Sequence, residues 1–255
     1  MESFSGNLGT FDVERKALTV LVSGLNGPDK IRISGNRAYF IETGTAEKRY
    51  KDGSLSFLDL SSNRVHTLLD NLNYPNGLWV TPLNDVYFTE AGGSSTSFGG
   101  VNQLSVLRSG STKQVVVTDD LRSPTCVASN TMGFIYVGHM GESSPGETGF
   151  LEMILWDYEK SAKVKVRAKN IIVDKLSTPQ DMALDRYGNI YLAGFGKESG
   201  NFNGVTLIPS NSPYKATPLK TGVHVSCLAV ANNGDIFYST GRTDNSLRVL
   251  RTRSR

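Results

Sequence analysis

The chain has little that could tie it together covalently or anchor it in a bilayer. Two cysteines in 255 residues exclude the multi-bridge framework of small secreted scaffolds. Cys126 and Cys227 fall at the same place in two copies of an internal repeat, so two buried, free thiols are expected. No run of 18 apolar residues exists, which excludes a transmembrane helix. The opening Met1-Glu2-Ser3-Phe4-Ser5-Gly6 lacks a charged-then-apolar signal pattern, and no Asn-x-Ser/Thr sequon occurs. A cytoplasmic setting is expected if the chain is full length, a secreted one if a leader has been removed. Charge of one sign is also missing: 27 Lys and Arg face 24 Asp and Glu, a net +3, with much of the excess in the tail from Arg248 to Arg255. No basic stripe with stacking aromatics recurs through the body, so neither nucleic acid nor membrane is an expected partner. A monomer acting on a small molecule is expected.

What is present is a repeat. The copies Leu25-Asn26-Gly27-Pro28, Leu72-Asn73-Tyr74-Pro75, Leu121-Arg122-Ser123-Pro124 and Leu176-Ser177-Thr178-Pro179 share one pattern, and Gly222-Val223-His224-Val225 is a degenerate fifth. Their fourth positions (28, 75, 124, 179, 225) are 47, 49, 55 and 46 residues apart. A period of about 40–50 with several short strands per unit is the signature of a β-propeller. In the second copy Gly77–Val80 reads as strand A, Asn84-Asp85 as the turn, Val86–Thr89 as B, Gln103–Leu107 as C and Val115–Val117 as D. Helical periodicity is absent. The fold class is therefore all-β, a single β-propeller domain over residues 1–255 with five four-stranded blades, or six as the alternative. The N-terminal strands (Gly6–Val13, Leu18–Leu21) and the C-terminal ones (from Cys227 onward) are expected to join in one blade, which would remove two open sheet edges.

Two rings of mostly polar residues are expected to converge at the tunnel mouth. Asp29, Asn76, Thr125, Gln180 and Ser226 follow the proline position; Glu42, Glu90, His139, Gly194 and Thr240 end strand B. Buried polar groups need partners. Tunnel waters and blade backbone could supply them, as could a divalent cation on Asp29, Glu42, Asn76 and Glu90, or an organic ligand without metal. Oxygen donors of this kind suit calcium or magnesium. The long Gly/Ser-rich loops after strand B could cover the mouth, with Phe98, Phe195 and Phe202 as apolar contacts. Histidine is scarce, and two of the three copies, His139 and His224, map to the mouth, where an imidazole is a natural general base.

Pro75-Asn76-Gly77-Leu78 followed by Val86-Tyr87-Phe88-Thr89-Glu90 resembles the blades of the senescence-marker-protein/gluconolactonase, paraoxonase and NHL-like propellers. It also resembles the Trp-Phe-Thr-Glu repeats of streptogramin lyase. The lactonase resemblance implies an axial calcium on the residues after the proline: Asp29 and Asn76 match, Thr125 and Gln180 depart, and Asp181 stands adjacent. The lyase resemblance implies magnesium with Glu42, Glu90 and His139. The expected function is metal-assisted hydrolysis or rearrangement of a lactone- or ester-like substrate, with C–O elimination or a non-catalytic binding scaffold as alternatives. His139, His224 and Glu90 are the expected catalytic groups; Thr125, Gln180, Asp181, Phe98, Phe195 and Thr240 the expected substrate contacts.

Overall fold

The computed structural model describes residues 5–45, 48, 51–91, 101–140, 149–158, 164–195, 202–211, 213–240 and 246–251. Every regular element among them is a β-strand, and no helix among them could cross a membrane. The chain divides into two compact units, Met1–Val115 and Val116–Arg255.

The first unit opens with a two-stranded sheet of β1 (Ser5–Asp12) and β2 (Ala17–Asn26). Blade 1 follows as β3 (Pro28–Ser34), β4 (Arg37–Glu42), β5 (Gly53–Asp59) and β6 (Arg64–Leu72). Blade 2 is β7 (Pro75–Val80), β8 (Val86–Glu90), β9 (Gln103–Leu107) and β10 (Gln114–Thr118), the last crossing the unit boundary. The strands hold because both faces of their middle members are apolar: Tyr39, Ile41, Leu55, Phe57, Leu78, Val86 and Phe88 pack blade 1 against blade 2. Leu8 and Leu25 of the opening hairpin pack on Ala38, Phe40 and Leu58.

In the second unit blade 3 is β11 (Pro124–Ser129), β12 (Ile135–His139), β13 (Gly149–Tyr158) and β14 (Val164–Leu176). Blade 4 is β15 (Thr178–Leu184), β16 (Ile190–Phe195), β17 (Gly204–Ile208) and β18 (Thr217–Thr221). The last sheet has three strands, β19 (Val225–Val230), β20 (Ile236–Thr240) and β21 (Ser246–Leu250). Ala193, Val205, Val225, Leu228, Ile236 and Tyr238 form the core between these two sheets. Five strand-A/strand-B hairpins therefore begin five blades, as the repeat count predicts. Among the described residues the terminal strands are hydrogen-bonded as β1–β2 in the first unit and β19–β21 in the second. Both cysteines are free, Cys126 buried as expected and Cys227 only half-buried.

One local device recurs in all five hairpins. The ladder between strands A and B shifts register just after the proline position: Pro28/Ile31, Pro75/Gly77, Pro124/Cys126, Pro179/Asp181 and Val225/Cys227. Each shift leaves the next residue (Asp29, Asn76, Thr125, Gln180 or Ser226) out of the pairing, and in blade 1 Lys30 as well; irregularities of this kind re-aim side chains.

Candidate functional site

In four blades the residue ending strand B sits opposite the proline position: Glu42 opposite Pro28, Glu90 opposite Pro75, His139 opposite Pro124 and Thr240 opposite Val225; in blade 4 Gly194, one residue before the strand end, faces Pro179. In blades 1 to 3 the strand-ending side chain holds the turn that enters strand A. Asn26 N donates to Glu42 Oε1 at 2.5 Å and Asn73 N to Glu90 Oε1 at 2.7 Å, while His139 Nδ1 meets the Arg122 backbone, 3.3 Å from its N and 3.2 Å from its O. These are also the blades whose residue before the proline has a left-handed backbone, Gly27 (φ 69), Tyr74 (φ 46) and Ser123 (φ 49). Such a conformation is strained for Tyr and Ser and persists only where surrounding bonds fix it. In blade 4 position 194 is Gly, and Thr178 is not among the left-handed residues. The side-chain brace and the left-handed turn come and go together in these blades.

The second oxygen of each glutamate is engaged as well. Ser54 Oγ donates to Glu42 Oε2 at 2.6 Å, and Gln103 Nε2 donates to Glu90 Oε2. Thr240 Oγ1 accepts from Ser246 N at 3.1 Å, so blade 5 ties strand B to strand C in the same way. Glu42 and Glu90 are thus bound at both oxygens to their own blades. His139, 1% exposed, stacks on Phe150 with centroids 4.2 Å apart, and its Nε2 lies 3.4 Å from Glu152 Oε2, an electrostatic contact outside hydrogen-bond geometry. Lys169 continues the chain of charge, 3.8 Å from Glu152 and 2.6 Å from Asp120.

The bulge residues behave differently. Asp29 Oδ1 pairs with Lys30 Nζ at 2.7 Å, with Lys30 4% exposed and the Asp29 side chain 30% exposed. Asn76 is half-buried on the equivalent bulge of the adjoining blade 2. Nearby, Asp52 accepts from Thr45 N at 2.8 Å, Thr45 Oγ1 at 3.1 Å and Asn26 Nδ2 at 3.2 Å. Burial pushes its pKa up, but these hydrogen bonds together outweigh that and hold it below the ordinary carboxylate value.

In the second unit Thr125 is buried and donates to Gly138 O at 3.2 Å. Gln180 is half-buried, with Nε2 3.5 Å from Pro179 O. Asp181 is a structural latch: its Oδ1 accepts Met182 N at 2.9 Å and its Oδ2 accepts Leu228 N, in the neighbouring blade, at 3.1 Å. The Phe195 ring lies 4.6 Å from the ring of His224, whose buried Nδ1 has no hydrogen-bond partner. Phe98 lies outside the described residues, as does most of the three long loops after strand B.

A divalent cation on Asp29, Glu42, Asn76 and Glu90 would have to share or displace partners that the three carboxylates already have. Both oxygens of Glu42 and of Glu90 are engaged, and Asp29 already faces an ammonium group. Among the described residues no three His, Cys, Asp or Glu side chains gather closely enough to hold an ion. Sequence reasoning passed over Lys30, which stands where the other repeats carry Gly77, Cys126, Asp181 and Cys227. The signal was available: a lone lysine at an otherwise small or acidic repeat position on an inner strand.

No family model and no curated protein matches the chain. Solved structures do. A gluconolactonase from Xanthomonas campestris superposes with a TM-score of 0.68 at 17% identity, covering 92% of this chain and 76% of its own. A luciferin-regenerating enzyme gives a TM-score of 0.64 at 13% identity, covering 93% of this chain and 78% of its own. TolB from Acinetobacter baumannii gives 0.68 at 14%, covering 96% of this chain and 56% of its own. At these identities the likeness establishes architecture, and the chain has the β-propeller fold of gluconolactonase-like proteins.

Proposed function

We propose that the chain is a hydrolase of ester- or lactone-like small molecules whose charged group is the Asp29–Lys30 pair. The observation that carries this reading is a nearly buried lysine on a bulge, 2.7 Å from a carboxylate that keeps partial access to solvent. Removing an ammonium group from water is costly, and the repeats show that a blade needs no lysine there. A group retained against its desolvation cost, beside a re-aimed polar residue, has the character of a functional site. The name of the Xanthomonas neighbour adds that this fold carries lactone chemistry elsewhere.

In this reading Asp29 takes a proton from a water molecule, and the water oxygen bonds to the acyl carbon of the substrate. Lys30 orients the carboxylate through Oδ1 and sets positive charge beside the developing oxyanion, with the Asn76 carboxamide as a further donor. The acyl C–O bond then breaks, and the alkoxide takes the proton back from Asp29, leaving acid and alcohol. The test is a panel of aliphatic lactones and esters assayed with chelator present. Asp29→Asn is expected to lower kcat by about 10²–10⁴-fold, and Asn76→Ala by roughly 10²-fold. Turnover that needs calcium and ignores Asp29→Asn would sink the proposal. The engagement of Glu42, Glu90 and His139 in their own blades favours, as a second reading, a ligand-binding propeller without turnover. Binding of panel compounds with no hydrolysis at all would select it.

A further inference from the structure

At the opposite end of blade 4 and of the last sheet, away from the bulges, the A–B turns of neighbouring hairpins enclose a cleft of about 450 Å3. That volume is within the range of small-molecule sites, about 300–1,000 Å3. Leu184, Val230 and Ala231 line it beside Asp185, Arg186 and Tyr187 of one turn and Asn232, Asn233 and Gly234 of the other. The two turns are built alike. Asp185 N donates to Asn189 O at 3.1 Å and Gly188 N to Asp185 O at 3.0 Å; Ala231 N donates to Asp235 O at 2.8 Å and Gly234 N to Ala231 O at 2.9 Å. Gly188 (φ 81) and Gly234 (φ 88) supply the left-handed step such turns require.

The two charges in the cleft are not equivalent. The Asp185 carboxylate is occupied by its own turn, accepting Tyr187 N, Asn189 N and Asn189 Nδ2 at 2.9 Å each and Tyr191 OH at 3.3 Å. Arg186 makes no ion pair among the described residues. Its guanidinium is held instead by Tyr187, with Nη2 donating to the Tyr187 hydroxyl at 2.6 Å and Cζ 4.8 Å from the ring centroid. The result is a pre-oriented guanidinium with donors to spare on one face of Tyr187, a residue 67% exposed, flanked by two carboxamides. A guanidinium fork matches a carboxylate in a two-point contact, and a tyrosine face accepts a flat ring.

We infer that this cleft binds small planar carboxylates, the anion on Arg186 and the ring against Tyr187. It shares no residue with the site proposed for hydrolysis. Both probes are named by chemistry: 2-naphthoate, and naphthalene-2-carboxamide as its uncharged isostere. Titrated into the 15N-labelled protein, 2-naphthoate is expected to shift the backbone amides of Tyr187, Asn232 and Asn233 saturably. The carboxamide should bind at least about tenfold more weakly. Arg186→Met should abolish that preference for the anion, Arg186→Lys should retain part of it, and Asp29→Asn should leave it unchanged. Absence of saturable shifts up to roughly 10 mM, a Kd near the weak limit of specific binding, would overturn the inference. So would equal affinity for acid and amide, or an undiminished preference in Arg186→Met. Arg186 is exposed, so its variants test binding without threatening the fold.

Discussion

Glu90 is 1% exposed and accepts Asn73 N, Asn73 Nδ2 and Gln103 Nε2, so its carboxylate fixes the left-handed Tyr74 turn from inside the blade. Removing it leaves those half-buried donors without this acceptor. Glu90→Ala is expected to cost about 2–4 kcal/mol in urea unfolding. A loss below about 0.5 kcal/mol, the range of an ordinary surface substitution, would remove the turn-locking role. The same position in the sequence reads equally well as a ligand group, because a polar residue ending a strand has no periodicity to betray its partner. Only the register, Glu90 opposite Pro75 and Gln103, shows where its oxygens go. Asp120 offers a second residue-scale test. The Lys169 hydrogen bond, then Thr118, hold its pKa below the ordinary value against the opposing effect of burial. A folded-state pKa lowered in this way adds stability that is present above the unfolded value of 3.8 and is lost as pH falls. NMR titration of Lys169→Met should return the Asp120 midpoint toward 3.8, and an unmoved midpoint would leave Thr118 as the main cause.

At the scale of elements, strand reading succeeded where composition is decisive. The second repeat was legible nearly to the residue, with Gln103–Leu107 matching β9 and Val86–Thr89 all but the last residue of β8. Valine, tyrosine and phenylalanine in short runs between Gly/Asn turns leave little room for another structure. The bulge after the proline was not legible, since it is a mismatch between two strands and neither strand encodes it alone. Blade 4 shows how far such register details reach. Gly194 has no side chain to brace its turn, and a Cβ there would meet Phe202 O at 2.2 Å, so the chain entering β17 lies close over it. Gly204, at φ 143, is a conformation that L side chains rarely adopt, and its Cβ would meet Lys220 O at 2.0 Å. Gly204→Ala should therefore destabilise by about 2–4 kcal/mol through strain and backbone collision. A thermal melt within a degree of the parent would mean that β17 and β18 can separate freely at that point.

For the molecule as a whole, the bearing question is whether any ion contributes to its stability. The repeat made five blade starts legible, because a 46–55-residue spacing survives the loss of one proline and one leucine. Counting residues per blade says which positions are equivalent and nothing about which carboxylates are already hydrogen-bonded. Glu42 and Glu90 are hydrogen-bonded by amides and side chains, and Asp29 is paired with Lys30, so the carboxylates have compensation within the chain. Melting curves with chelator, with calcium and with magnesium should then superimpose. A resident ion at about 100 times its dissociation constant would add roughly 2.7 kcal/mol. For a chain of this length each kcal/mol moves the midpoint by about 2–4 °C, so such an ion would be unmistakable. A calcium-dependent rise of that size, lost in Asn76→Ala, would mean that the carboxylates rearrange to take the ion and that Lys30 does not replace it. Indifference to both cations, combined with a lower midpoint in Asp29→Ala but not in Lys30→Met, would instead mark the Asp29–Lys30 pair as one whose lysine is costly to bury and whose retention must be explained by chemistry.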